Sequence, residues 1–245
     1  MKLYGLIGFP LSHSFSKKYF SEKFEKEGLN DCSYENFPLP DIEEVKKILA
    51  LAGLSGFNIT IPYKEKILSY LDKDTELVRK INACNCVKIS AGKLIGHNTD
   101  VFGFQKSLEG IINPDVHQKA LVLGTGGSSK AVKFALSNLG IEFLSISRKP
   151  AASSLSYEQI TEQIIQSHKL IINTTPLGMF PNLVEAPPLP YQFISKDHLL
   201  FDLIYNPEKT LFLKKGEEQG ATIKNGLEML VLQAEESWRI WNNPD

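Results

Sequence analysis

The sequence predicts an α/β protein built as two units. Short apolar runs alternate with stretches of helical period, the pattern of strands joined by helices in mostly parallel sheets. Asn113-Pro114-Asp115 breaks this pattern and marks a boundary near residues 110–117. Beyond the break, the apolar run at 120–123 leads directly into Gly124-Thr125-Gly126-Gly127-Ser128-Ser129 and then into a helical stretch.

Taken in order, residues 2–8 read as a strand. Residues 16–27 read as a helix with Tyr19, Phe20 and Phe24 on one face. A second strand at 33–37 precedes a helix over 41–51 capped by Asp41, and a third strand covers 56–60. Pro62 suits a first helical position, which predicts a helix over 62–71. Residues 87–89 and 93–95 form a hairpin around Ala91-Gly92. Val101, Phe104, Leu108, Ile111 and Ile112 then recur at helical spacing. In the second unit a helix follows the glycine turn to about residue 139, and strands are predicted at 143–147, 169–173 and 199–203. Residues 176–190 hold five prolines and read as an irregular loop over a surface. A final helix at 227–241 places Leu227, Leu230, Val231, Ala234, Trp238 and Trp241 on one face.

Composition narrows the class. The 245 residues are 42% hydrophobic and 22% charged, an ordinary globular balance that excludes disordered and collagen-like chains. Lysine and arginine number 27 against 28 acidic residues, so no basic excess points to nucleic acid or an anionic membrane. No apolar run approaches the roughly 20 residues of a membrane span. The opening MKLYGLIGFP lacks the charged-then-apolar pattern of a secretory leader. Cys32, Cys84 and Cys86 lack zinc-ligand spacing and read as reduced thiols. A cytoplasmic protein is expected. The five histidines show no close ligand spacing, and no metal is expected.

A strand, Gly124-x-Gly126-Gly127 and a helix form the arrangement that takes a dinucleotide pyrophosphate: glycines admit the phosphates and the helix N-terminus attracts their charge. The same turn also fits a tight connection without a ligand. Ser129 stands where the third glycine of the fingerprint would be. After the next strand, Ser147-Arg148-Lys149 offers no acid for a ribose 2′-hydroxyl. Arg148 and Lys149 instead fit a 2′-phosphate, which favours NADP over NAD, or else form a basic surface turn. Four polar stretches end apolar strands in the first unit, at 8–16, 58–64, 82–85 and 96–100, as expected for a small hydroxylated or carboxylated ligand. Lys64 in the first turn of its predicted helix would have its pKa lowered by the helix dipole; a neighbouring Asp100 would raise it again, which leaves the net sign open.

Eight motifs in order resemble the shikimate dehydrogenase family, across residues 5–241. They are GxPxxHSxS from Gly8, NxTxPxK from Asn58, Ala-Cys-Asn ending at Asn85, GxNTDxxG from Gly96, GTGGSSKA from Gly124, NTTPLGM from Asn173, DxxYxPxxT from Asp202 and GxxMLxxQA from Gly226. The resemblance implies a substrate-binding α/β domain of residues 1–102 plus 226–245, a Rossmann-like NADP-binding domain of residues 103–225, and a cleft between them. It implies reversible NADPH-dependent reduction of 3-dehydroshikimate to shikimate, in aromatic amino-acid biosynthesis. Ser14 and Ser16, helped by Tyr205, would bind the substrate carboxylate. Thr60, Asn85, Asp100 and Gln233 would hold ring hydroxyls, and Lys64 with Asp100 would form the catalytic pair. Gly124, Gly126, Gly127 and Ser128 would cradle the pyrophosphate, with Arg148 and Lys149 at the 2′-phosphate. Thr174 and Met179 would lie toward the nicotinamide, and Gly226 on the cofactor side. A monomer or homodimer with a small-molecule substrate is expected.

This chain departs from the family pattern at Lys17, where a proline is frequent, and at Ser147-Arg148-Lys149, where Asn-Arg-Thr is usual. A further arginine is replaced near Ala152, and the stretch between 148 and 171 is compact. The alternatives are a quinate or shikimate dehydrogenase using NAD and a non-catalytic NADP or shikimate sensor. A folate-linked dehydrogenase of related architecture would not need the serines at 14 and 16.

Overall fold

A computed structural model describes residues 1–11, 14–149 and 153–243. Ser12 and His13 of the first motif, and Ala152, lie outside them. The chain divides into two compact units, residues 1–99 with 234–245, and residues 100–233.

The first unit is a six-stranded mixed sheet in the order β2-β1-β3-β5-β6-β4. Strand β1 (Lys2–Gly8) is central and runs parallel to both β2 (Cys32–Pro38) and β3 (Leu54–Ile59). Strands β5 (Cys86–Ser90) and β6 (Lys93–His97) form the expected antiparallel hairpin, with Ala91 and Gly92 both at positive φ in its turn. Two-residue β4 (Lys73–Asp74) closes the far edge. Helix α1 (Phe15–Lys26) buries Phe20 and Phe24. The region expected to be one helix over 41–51 splits into a 3₁₀ turn at Ile42–Glu44, capped by Asp41, and α2 (Val45–Leu49). Short α3 (Glu76–Ile81), capped by Thr75, precedes the hairpin.

The helix predicted over 62–71 does not form. Residues 61–65 are turns, and only Lys66–Tyr70 coils, as a 3₁₀ segment. Local packing overrides the proline signal here: the Tyr63 hydroxyl reaches the Leu39 carbonyl at 2.5 Å, and the Cys84 N–H takes the Lys64 carbonyl at 2.8 Å. That carbonyl is therefore spent outside any helix.

The second unit is wholly parallel, in the order β12-β11-β10-β7-β8-β9. Strands β7 (Lys119–Leu123), β8 (Glu142–Ile146) and β9 (Ser154–Leu155) step outward in one direction. Strands β10 (Leu170–Asn173), β11 (Leu199–Asp202) and β12 (Thr222–Lys224) step outward in the other. The reversal between β7 and β10 is the topological switch point of a doubly wound sheet, where ligands bind beyond the strand ends. Helices α4 (Asp100–Glu109), α5 (Gly127–Asn138), α6 (Glu162–Ser167) and α7 (Leu211–Glu218) complete this unit, and no regular element interrupts residues 176–190. Among the described residues no helix is long and apolar enough to cross a membrane.

Helix α8 (Leu227–Asn242) ends in the first unit. There Trp241 stacks on Tyr4 at 4.8 Å between ring centroids, and its indole N–H donates to the Val87 carbonyl at 3.0 Å. Trp238 meets the same Tyr4 ring edge-on, and Phe20 stacks on Tyr34. Trp241→Ala is expected to cost about 3–5 kcal/mol of stability, and Trp241→Phe about 1–2 kcal/mol through the unpaired carbonyl. Urea denaturation checks both values; a Trp241→Phe variant as stable as wild type would show that the indole N–H contributes nothing.

Candidate functional site

In the first unit, the parallel pairing of β1 and β3 makes both strands end at one edge, and the first two polar motifs leave the sheet side by side. The Thr60 N–H donates to the Ile7 carbonyl at 2.9 Å, and the Phe9 N–H to the Ile61 carbonyl at 3.1 Å. Asn85 joins them, because its carbonyl accepts the Ile59 N–H at 2.8 Å. Its amide is gripped at both ends by Thr99: Oδ1 accepts the Thr99 N–H at 2.6 Å and Nδ2 donates to Thr99 Oγ1 at 2.9 Å. The structure thus gathers Ser14, Ser16, Thr60, Lys64 and Asn85 at one end of this sheet.

Ser14 occupies the N-cap of α1 but makes no capping bond. Its hydroxyl is buried and has no hydrogen-bond partner among the described residues. An uncapped helix N-terminus beside an unsatisfied hydroxyl suits an anion, since the first-turn N–H groups and the helix dipole favour negative charge. Lys17, at the position where proline is frequent, forms a half-exposed ion pair with Glu35 at 2.6 Å.

Lys64 lies in a turn, so the helix-dipole argument for its pKa does not hold. Asp100 does begin a helix, as expected; it is buried and counts with the second unit. In that unit Gly103, one turn further on, lets α4 approach the Met229 carbonyl and Gln233, where a Cβ would meet backbone at 2.6 Å and 3.0 Å. Gln233 donates to the Leu230 carbonyl at 2.8 Å.

The glycine turn follows β7 at the switch point. Gly124 has φ +109°, and a Cβ there would lie 2.6 Å from the Thr174 hydroxyl. Thr174 itself donates to the Leu123 carbonyl through both its N–H (2.9 Å) and its hydroxyl (2.6 Å), which fixes it beside the turn. Gly126 caps α5 without a side-chain bond, and a Cβ there would meet nothing. The fold does not itself require a glycine at 126, and its bareness leaves the N-terminus of a 12-residue helix open to a phosphate. Ser129, in place of the third glycine, is fully buried and donates to the Gly124 carbonyl at 2.8 Å. These residues fit a dinucleotide. Arg148 and Lys149 are exposed beyond β8, in a turn pinned by Ser147, whose hydroxyl bonds the Lys149 carbonyl and N–H at 3.1 Å and 3.2 Å. Met179 is exposed on the loop after β10, and the Gly226 N–H donates to the Ile204 carbonyl at 3.1 Å. No group of three or more metal-ligating side chains occurs among the described residues.

Two buried polar networks were not foreseen. Asp202, at the end of β11, accepts from the Thr210 hydroxyl (2.6 Å), the Ile204 N–H (3.0 Å) and the Asn173 amide (3.0 Å). This joins the NTTPLGM and DxxYxPxxT motifs, and it ties down both ends of the loop that carries Tyr205. The second network, in the first unit, runs through Tyr34, Asn58, Thr99 and Ser237. The available signal was a polar residue within or closing an otherwise apolar strand, as at Asn58, Asn173 and Asp202.

A doubly wound parallel sheet with an open glycine turn at its switch point defines a dinucleotide-binding α/β unit. The family of the shikimate dehydrogenase substrate binding domain matches residues 6–87. The shikimate dehydrogenase (NADP(+)) of Caldicellulosiruptor saccharolyticus is 37% identical over 258 residues, covering 98% of this chain and 91% of that one. The crystal structure of shikimate dehydrogenase from Aquifex aeolicus superposes with a TM-score of 0.87 at 36% identity, covering 99% of this chain and 92% of that chain. The Thermus thermophilus shikimate 5-dehydrogenase in complex with NADP(H) and shikimate gives 0.86 at 30% identity, covering 100% and 95%. This chain belongs to the shikimate dehydrogenase family.

Burial pushes the Asp202 carboxyl up to about 7, against the pull of Thr210, Ile204 and Asn173. The folded state then holds a proton that the unfolded chain releases near 3.8, so stability falls as pH rises from about 4 to about 7 and stays lower above. Relative to Asp202→Asn, the unfolding free energy of wild type, read from urea denaturation, should fall across that window by up to about 1.4 kcal/mol per pH unit. A difference that stays constant with pH would exclude this titration.

Proposed function

We propose that the chain catalyses the reversible NADPH-dependent reduction of 3-dehydroshikimate to shikimate, a step of aromatic amino-acid biosynthesis. The carrying observation is the likeness over 98% of its length to an NADP-dependent shikimate dehydrogenase, with all eight motifs in order. When bound, NADPH supplies the hydride for the ketone carbon. Gly124, Gly126, Gly127 and Ser128 hold its pyrophosphate, Arg148 and Lys149 its 2′-phosphate, Thr174 and Met179 flank it toward the nicotinamide, and Gly226 lies on the cofactor side.

Ser14 and Ser16 bind the substrate carboxylate with Tyr205; the uncapped start of α1 and the unsatisfied Ser14 hydroxyl support this role. Thr60, Asn85, Asp100 and Gln233 take ring hydroxyls. The Lys64 ammonium donates a hydrogen bond, and then a proton, to the oxygen of the developing alkoxide; in the oxidising direction its neutral amine takes that proton back. The Asp100 carboxylate orients Lys64. The protein works in the cytoplasm as a monomer or homodimer. Cys32, Cys84 and Cys86 form no disulfide, and with burial pushing the Cys86 thiol up they suit a reducing compartment.

Nicotinamide absorbance with shikimate or quinate, each paired with NADP or NAD, tests the reading. Fast turnover is expected with shikimate and NADP. Turnover confined to quinate or NAD would move the chain to the alternative substrate or cofactor, and ligand binding without turnover in all four pairings would make it a sensor. Lys64→Ala should lower kcat by a factor on the order of 10²–10⁴ with a modest change in KM. Near-normal turnover in that variant would remove Lys64 from the chemistry. Alanine at both Arg148 and Lys149 should raise KM for NADP at least about tenfold and leave KM for NAD unchanged, as expected for charge-assisted bonds to one phosphate. An equal rise for both cofactors would place the pair elsewhere.

A further inference from the structure

We propose that Tyr34, Asn58 and Ser237 are positioning residues that fix Asn85 at the hydroxyl-binding end of the substrate site. The inference rests on the shikimate reading above and adds residues that make no contact with substrate in that reading. The Tyr34 hydroxyl donates to Asn58 Oδ1 at 2.9 Å. Asn58 Nδ2 donates to Ser237 Oγ at 2.8 Å and to the Asn85 carbonyl at 3.2 Å. Ser237 Oγ bonds Thr99 Oγ1 at 3.2 Å, and Thr99 grips both ends of the Asn85 amide. The chain thus runs from a buried tyrosine to an asparagine assigned to a ring hydroxyl.

Every linking residue is buried: Tyr34 is 2% exposed, Asn58 5%, and Thr99 and Ser237 0%. Water cannot replace a lost partner easily in such a place, so each bond carries directional information. The links come from four separate segments: β2, β3, the turn after β6, and α8. Thr99 bonds both ends of the Asn85 amide, and the other segments hold Thr99 Oγ1 and the Asn85 carbonyl in place. The bonds from Asn58 to the Asn85 carbonyl and from Thr99 to its amide hold the residue from two sides. A ring that presents a hydroxyl where this fixed amide can bond it is favoured over one that does not.

The experiment compares wild type, Ser237→Ala, Ser237→Thr and Tyr34→Phe in steady-state kinetics with shikimate and NADP, alongside thermal melts. Ser237→Ala and Tyr34→Phe are expected to raise KM for shikimate about five- to tenfold, the worth of one or two buried hydrogen bonds. KM for NADP and kcat should stay within about twofold of wild type, as for loss of uniform binding. Ser237→Thr keeps the hydroxyl and should restore KM. If Ser237→Ala does not fold, Tyr34→Phe, which removes one oxygen and no packing volume of note, gives the same readout. Folded variants with wild-type KM for shikimate, or with both KM values rising together, would overturn the proposal and reduce the network to a structural one. A wild type inactive with shikimate and NADP would bring down the shikimate reading and this inference together; an active wild type with unaltered variants would bring down this inference alone.

Discussion

Parallel pairing of β1 with β3, and of β7 with β10, forces the paired strands to release the chain at the same edge of their sheets. Every polar motif that follows one of these strands must therefore emerge beside its neighbour's. In the first unit this puts the turn after Gly8 next to Thr60, and the Ile59-to-Asn85 bond draws in a third segment. In the second it puts Gly124 beside Thr174, at the switch point where no crossover helix covers the strand ends. A sequence that obeys α/β packing rules obtains a ligand-facing edge as a geometric by-product, and the residues placed there then decide the chemistry.

Helix starts divide the fold into structural and ligand-facing parts. Thr75, Thr161 and Thr210 each cap a helix by accepting an N–H, from Val78, Ile164 and Leu213. Ser14 and Gly126 stand at the N-caps of the 12-residue helices α1 and α5 and make no such bond. A capping serine, threonine, asparagine or aspartate stabilises a protein by about 0.5–2 kcal/mol relative to alanine. Two long helices forgo that gain at the two positions where the motifs call for an anion, while three shorter ones take it. A bound carboxylate or phosphate would supply the missing acceptors.

Much of this was legible because the signals are local. The β1 boundaries, the hairpin turn at Ala91-Gly92, Asp100 as a helix start and the long α5 and α8 all follow from periodicity or turn chemistry within a few residues. The helix expected over 62–71 was not legible. Tyr63 bonds to Leu39 and Lys64 to Cys84, partners some 20 residues away that no window on the sequence contains. The short elements β4, β9, α3, α6, α7 and β12 carry too few residues for a period to register. At the candidate site the contact residues could be named from motifs, but not what holds them. Ser237 is 138 residues from Thr99 and 179 from Asn58, and its helical spacing suggests only an unremarkable position just before Trp238.

The two buried networks differ in chemistry, and the difference bears on what each can do. The first-unit network is built from hydroxyls and amides, neutral groups whose burial costs little once each is paired. It can fix the direction of Asn85 without placing a charge behind a polyol ring, and its geometry does not change with pH across the ordinary range. The Asp202 network uses a carboxylate with three donors, and desolvation still lifts its pKa toward neutrality. Such a group binds the loop between residues 203 and 210 more firmly when ionised, but its burial opposes that ionisation. The second unit thus accepts an energetic conflict to tie the Thr174 and Tyr205 segments together. The first unit avoids that conflict by recruiting a neutral hydroxyl, that of Ser237, from the same helix whose Trp241 packs on Tyr4.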